Sequence, residues 1–143
     1  MAEIIGYTTG VFDLFHVGHL NVLKRAKRMC NELIVGVTTD ELVYERKNKY
    51  PVISFTERVE IVKAIRYVDE IVTQDSMDKM LAWEKLKFNI MFVGNDWKGT
   101  EKWNELEIRM NKVGVKIMYF PYTKTTSSSM IKATLEKFNN KWQ

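Results

Sequence analysis

The sequence predicts an α/β domain, an open, mostly parallel five-stranded sheet that is doubly wound, with helices on both faces. Two observations carry that expectation. Short β-rich apolar runs, dense in Val, Ile, Phe and Tyr, alternate along the whole chain with longer amphipathic stretches of helical period. The chain has 143 residues, 45% of them hydrophobic and 28% charged, which suits one soluble unit with a substantial core. Residues 1–143 are therefore expected to form a single domain.

Each element has its own signal. "EIIGYTT" (3–9) reads as a first buried strand, and "VGHLNVLKRAKRMC" (17–30) follows as a helix with Leu20, Leu23, Ala26 and Met29 on one face. "LIVGVTT" (33–39) is a second strand, after which the polar "YERKNKYP" (44–51) reads as a loop. "SFTERVEIVKAIRYV" (54–68) opens with Ser54 and carries Glu57 three residues later, a capping-box pattern, with Ile61, Val62, Ile65 and Val68 as its apolar stripe. Arg58 and Arg66 lie about two turns apart on that helix and are expected to share a face. "EIVTQ" (70–74), "IMFVGN" (90–95) and "VKIMYF" (115–120) complete the strands; 77–88, 101–112 and 127–138 complete the helices. No internal repeat or linker interrupts the pattern, and the one biased patch is "TKTTSSS" before the last helix.

Composition narrows the function. A net charge of +4 invites an anionic partner, but there is no run of five basic residues and no basic-aromatic segment, so nucleic acid is not expected. No apolar run approaches the roughly 18 residues of a membrane span, and the opening "MAEIIGYTTG" lacks the features of a secretory signal, so the expected location is cytoplasmic, with no membrane partner. The single cysteine, Cys30, cannot form an internal disulfide and reads as a small apolar residue near a helix end.

Parallel sheets of this kind bind ligands at the carboxyl ends of their strands. The segment after the first strand is "TGVFDLFHVGHL" (9–20), which holds both histidines of the chain, His16 and His19. A helix starting near Val17 or Gly18 directs unpaired N–H groups and its positive dipole end toward the sheet mouth, where a phosphate docks. Gly18 removes a side chain where a ligand must come close. Zinc ligation would need a third and usually a fourth ligand, and a purely structural pair is the other alternative.

The stretch "GVFDLFHVGHLNVLKRAK" resembles the HxGH signature of the nucleotidyltransferase superfamily, and the likeness continues in order through "TTDE", "ERVEIVKAIRYVDEIV", "VGNDWKG" and "TTSSSMIK". Among the branches, the chain is most similar to the glycerol-3-phosphate cytidylyltransferases. The resemblance implies a Rossmann-like fold and a cytidylyltransferase that forms a CDP-alcohol and pyrophosphate from CTP and a small phosphorylated alcohol, most simply glycerol 3-phosphate. Another acceptor (choline, ethanolamine or sugar phosphate), ATP in place of CTP, or a non-catalytic nucleotide-binding module are the alternatives. It also implies Mg²⁺ carried by the triphosphate, no protein metal ligand, and a homodimer.

Residue by residue, the resemblance assigns His16 and His19 to stabilising phosphoryl charge, with Lys47 beside them. Gly10, Val11, Phe12, Gly18, Lys49, Arg58, Asp96, Thr123, Ser127, Ser128 and Ser129 would hold the nucleotide. Asp13, Lys47, Lys79 and Tyr122 would meet the acceptor, Asp13 alternatively holding its own loop through backbone N–H groups. In the basic loop Lys47 and Lys49 match better than Arg46, and Trp97 of "GNDW" is expected to pack. The chain departs from the family at "YTKTTSSS" (122–129), where relatives read Arg-Thr-Glu-Gly-Ile-Ser-Thr-Ser/Thr: Tyr122, Lys124 and Thr125 replace the arginine, glutamate and glycine. A phenol cannot copy a bidentate guanidinium, so phosphate contacts there must differ.

Overall fold

The computed structural model describes residues 3–121 and 128–142. In chain order these form β1 (Ile5–Gly10), α1 (Val17–Arg28), β2 (Glu32–Thr38), α2 (Asp40–Lys47), α3 (Phe55–Lys63), β3 (Glu70–Gln74), α4 (Lys79–Leu86), β4 (Ile90–Gly94), α5 (Glu101–Lys112), β5 (Lys116–Phe120) and α6 (Ser128–Trp142). One turn of 3-10 helix, Asn95–Trp97, follows β4. The strands form one sheet in the order β3-β2-β1-β4-β5, every pair parallel. The chain builds outward from β1 through β2 to β3, then returns to the other side of β1 for β4, so its order reverses between β1 and β4.

Alternation along β2 explains the two cores. Leu33, Val35 and Val37 point to one face and pack with Leu23 and Ala26 of α1 and Val62 of α3. Ile34 points to the other, into a cluster with Tyr7, Phe88, Met91 and Met110, flanked by Met80 and Trp83 of α4. Both faces of the parallel sheet are thus covered, as its continuous apolar strands require. Among the described residues no helix is long and apolar enough to cross a membrane.

Three local expectations are corrected. The stretch read as a loop after β2 begins with helix α2, whose signals lie in its caps rather than in an apolar stripe. Thr39 Oγ1 accepts from Leu42 N–H at 3.2 Å, Asp40 and Glu41 occupy the first turn, and Asn48 closes the helix at φ 57°. Ser54 sits at the N-cap of α3 but makes no side-chain cap bond, and the Phe55 amide beside it donates to Asp40 Oδ2 at 3.2 Å. Helix α3 ends at Lys63, so Arg66 lies beyond it and does not share a face with Arg58. Its inward side carries Arg58 and Val62, both fully buried, while Ile61 is 42% exposed.

A buried arginine at a helix position expected to meet ligand has a physical reason. Its Nε donates to the Ile53 carbonyl at 2.9 Å, and Nη1 donates to the carbonyls of Val11 at 2.7 Å and Thr38 at 2.8 Å. Nη2 is paired with Asp40 Oδ1 at 2.6 Å. One guanidinium therefore joins the end of β2, the start of α2, the segment before α3 and the loop after β1. Replacing Arg58 by Leu leaves these oxygens without their donor, and a loss of about 3 kcal/mol in unfolding free energy is expected from breaking such a pair. Urea unfolding measures it, and Arg58→Lys should recover only part, since an ammonium cannot span the same fork.

Candidate active site

A cleft of about 340 Å³ opens at the carboxyl ends of β1 and β4, where the chain order reverses. Its walls are Thr8 to Asp13 from the end of β1, Met91 to Gly94 from β4, His19 of α1, the Lys47, Lys49, Tyr50 and Pro51 side of α2 and its exit, and Ser128, Ser129 and Lys132 from the first turns of α6. The loop joining β1 to α1 is held in an uncommon shape. Phe12 and Leu14 have φ of 55° and 51°, a left-handed conformation that non-glycine residues keep only when their surroundings enforce it. A side chain at Gly10 would meet the Phe12 ring at 2.9 Å, so glycine there leaves the ring its place.

The enforcement comes from Arg58 at Val11 and from Asp13. Asp13 is 3% exposed, and its carboxylate accepts from the amides of Val52 at 2.8 Å and Ile53 at 2.9 Å and pairs with Lys132 at 2.8 Å. Burial works to raise its pKa, but the Lys132 ammonium and the two amides outweigh burial and hold it below the ordinary carboxylate value. The Ser128 hydroxyl donates to the Asp13 carbonyl at 2.6 Å, which fastens the start of α6 to the same loop. Asp13 thus holds its loop, and its carboxylate is engaged by protein groups rather than offered to an acceptor.

The two histidines build the start of α1. The Gly18 amide donates to His16 Nδ1 at 3.0 Å, and the His16 amide donates to His19 Nδ1 at 3.1 Å, a capping box made of imidazoles. Their rings stack with centroids 4.0 Å apart. Because each Nδ1 receives a proton donor, each neutral ring carries its hydrogen on Nε2. Burial, then the neighbouring His16, pushes the His19 pKa down to about 4, with Asp13 opposing, and burial lowers that of His16. At neutral pH the pair therefore presents uncharged Nε2–H donors, suited to phosphate oxygens, which only accept.

Four lysines surround the same space. Lys79, 8% exposed, reaches Thr9 Oγ1 with Nζ at 3.0 Å, and burial, then Arg46 and Lys102, lowers its pKa to about 8. Burial, then Lys132, Lys49 and Arg46, lowers that of Lys47. Among the described residues Asp13 is the one carboxylate on the cleft wall, and it is paired with Lys132. The cleft consequently carries more positive charge than its own carboxylate balances, which suits an anion.

Of the residues singled out in the sequence, Gly10, Val11, Phe12, Asp13, His19, Lys47, Lys49, Lys79, Ser128 and Ser129 meet at the cleft. His16 stacks behind His19 rather than lining the wall, and the Gly18 amide is engaged by His16, so neither offers the direct approach expected of a glycine opening. Arg58 is corrected from a triphosphate contact to a structural clamp, its donors meeting protein oxygens. Asp96 is exposed in the 3-10 turn and not on the wall, whereas its neighbour Trp97, expected to pack, lines the cleft at 45% exposure. Tyr122, Thr123, Lys124, Thr125 and Ser127 lie outside the described residues. Lys132 was missed; its signal was available, since it follows Ser128 by four residues on the first turns of a helix and so shares its face.

Residues 7–135 match the family model described as cytidylyltransferase-like. The chain is 35% identical over 134 residues to an FAD synthase of Pyrococcus abyssi, covering 90% of each. It is 32% identical over 139 residues to the glycerol-3-phosphate cytidylyltransferase of Bacillus subtilis, covering 92% of the chain and 95% of the relative. Among solved structures, a lipopolysaccharide core biosynthesis protein of Thermoplasma volcanium superposes with a TM-score of 0.70 at 29% identity, over 85% of this chain and 98% of that one.

Two pH effects follow. Lys79 loses its charge as pH rises through about 8, so calorimetric binding of inorganic pyrophosphate should weaken between pH 7 and 9, and Lys79→Met should flatten that change. His19 stays neutral down to about 4 when folded, against an ordinary 6.5. The unfolded chain binds the extra proton in that window, so stability should fall as pH drops from 6.5 toward 4. Thermal melts of His19→Asn should show a shallower fall.

Proposed function

The chain belongs to the cytidylyltransferase-like family, and from that premise we propose that it transfers a cytidylyl group from CTP to a small phosphorylated alcohol, glycerol 3-phosphate first, releasing pyrophosphate. One observation carries the reading: the neutral imidazole of His19, with His16 stacked on it, and four lysines converge on a cleft whose single described carboxylate is already paired. An oxygen of the acceptor phosphate attacks the α-phosphorus, the bond from that phosphorus to the bridging oxygen breaks, and pyrophosphate leaves with the electron pair. No covalent enzyme intermediate is needed, and the protein's work is positioning and charge stabilisation.

The roles follow from the atoms. The Nε2–H group of His19 donates to phosphoryl oxygens as charge grows on them, while His16 holds that ring by stacking on it and by capping α1, and being neutral His19 requires no proton transfer to do so. Lys47 and Lys49, at the exit of α2, neutralise phosphates from one side and Lys79 from the other. Ser128 and Ser129 meet the nucleotide from α6. Among the described residues no group of three or more His, Cys, Asp or Glu side chains is placed to hold a metal, and the Asp13 carboxylate is engaged. Such a donor set fits Mg²⁺ that arrives on the triphosphate and keeps phosphate and water ligands, where it would neutralise charge on the leaving pyrophosphate. We take the working form to be a cytoplasmic homodimer.

A second reading has its own support. The 35% identity to an FAD synthase over 90% of both chains favours the same transfer with ATP as donor and a flavin phosphate as acceptor. Tyr50 and Trp97, 62% and 45% exposed at the cleft, suit a flat ring as well as a nucleobase. The deciding assay follows pyrophosphate release with Mg²⁺, each nucleoside triphosphate in turn, and glycerol 3-phosphate, choline phosphate, ethanolamine phosphate or riboflavin phosphate. Release restricted to CTP with glycerol 3-phosphate upholds the first reading, and release restricted to ATP with the flavin phosphate upholds the second. Saturable triphosphate binding without release from any pair leaves a nucleotide-binding module. In the active pair, His16→Ala and His19→Ala should each lower kcat about a hundredfold, the scale for loss of one preorganised donor.

A further inference from the structure

A second lobe of about 240 Å³ opens beside the cleft at the ends of β1, β2 and β3 and shares Thr9, Gly10, Val11, Val43, Lys47 and Trp97 with it. Its remaining wall brings together Thr38, Arg46, Gln74 and Met77. Gln74 closes β3 and is 5% exposed. Its Oε1 lies 2.6 Å from the Thr38 hydroxyl, which donates to it. Its Nε2 has a thioether, Met77 Sδ, at 3.7 Å. A thioether is a weak acceptor, so the amide holds a strong donor in the lobe wall against a weak partner, an arrangement buried polar groups generally avoid. The lobe carries two cationic side chains, Arg46 and Lys47, and among its described residues no carboxylate.

We propose that this lobe takes the organic part of the acceptor and that Gln74 sets its specificity, by donating Nε2–H to an uncharged hydroxyl or carbonyl oxygen. The inference rests on the nucleotidyl-transfer reading and deepens it. The acceptor phosphate sits by Lys47, which faces both spaces, and its organic part extends toward Gln74. Glycerol and a flavin both offer such an oxygen. A protonated amine or a trimethylammonium group offers none, and it meets two positive charges with no counter-ion. Thr38 orients the amide, and its hydroxyl also lies 3.1 Å from the Gly10 carbonyl, so the donor is referenced to the loop that carries the nucleotide site.

The test compares the wild type with Gln74→Leu and the isosteric Gln74→Glu, after circular dichroism and thermal melts establish that each is folded. Initial rates are taken with the active triphosphate against glycerol 3-phosphate, riboflavin phosphate, ethanolamine phosphate and choline phosphate. Gln74→Leu should raise the KM of the preferred acceptor about tenfold, the scale of one lost hydrogen bond, with kcat and the triphosphate KM held within about twofold. Gln74→Glu exchanges the donor for a carboxylate, and the kcat/KM ratio of ethanolamine phosphate to the preferred acceptor should rise about tenfold or more on the same scale. An unchanged acceptor KM and ratio in an active enzyme overturns the role of Gln74 and leaves nucleotidyl transfer standing. A parallel loss in triphosphate KM makes the residue a scaffold and overturns it too. A wild type that turns over no pair overturns both readings together.

Discussion

The site depends on one buried guanidinium. Arg58 bonds oxygens from Val11, Thr38, Asp40 and Ile53, residues spread over 43 positions of chain, and no helix or strand of its own would bring them together. Taking a guanidinium out of water is costly unless hydrogen bonds replace the lost hydration. Here they do, and the four segments become the four replacements. Loss of any one would leave a polar group buried, so the arrangement is cooperative. Asp13 repeats the device with opposite charge, binding the Val52 and Ile53 amides and Lys132. Between them the two residues hold the left-handed backbone at Phe12 and Leu14 and so fix where α1 begins.

That start point decides the electrostatics. A helix opened by Ser or Asp would meet its first amides with oxygen; this one meets them with imidazole nitrogen, leaving two Nε2–H groups as neutral donors. Neutrality matters because four ammonium groups already line the cleft, and two further cations stacked 4.0 Å apart would repel one another and the lysines. Burial first, and neighbouring cations second, shift Lys47 and Lys79 toward their neutral forms, and burial does the same to both histidines. In the proposed reaction the triphosphate would offset the positive charge that Lys47, Lys49, Lys79 and Lys132 bring to the cleft.

Much of this was legible in the residues themselves. The strand runs are apolar on both faces, which only a covered parallel sheet tolerates, and α5 begins and ends where its periodicity does. His16 and His19 pointed to the start of α1 at the sheet mouth, and the structure places His19 on the wall of the cleft there. Helix α2 escaped because its hydrophobic face is only Leu42 and Val43, and its evidence lay in Thr39, Asp40 and Asn48 at its ends. Arg58 was misread because a charged side chain is expected outside a core, and nothing local records that three carbonyls from elsewhere in the chain await it. The position of Lys132 on the Ser128 face of α6 was legible, but its pairing with Asp13, 119 positions away, was not.

By itself the sequence determined the fold class, the strand-to-helix junction beside the cleft and the family, because periodicity, capping and a contiguous motif are short-range properties written in neighbouring residues. The tertiary structure alone decided which groups face the cleft and which hold the protein's own backbone. Arg58, Asp13 and Gly18 turn inward to hold backbone, while Lys132, Gln74 and Trp97 turn toward the cleft and its side lobe. The reason is that a polar group's role is set by the partners left within hydrogen-bond distance after the chain has closed on itself, and those partners come from segments that linear order keeps far apart.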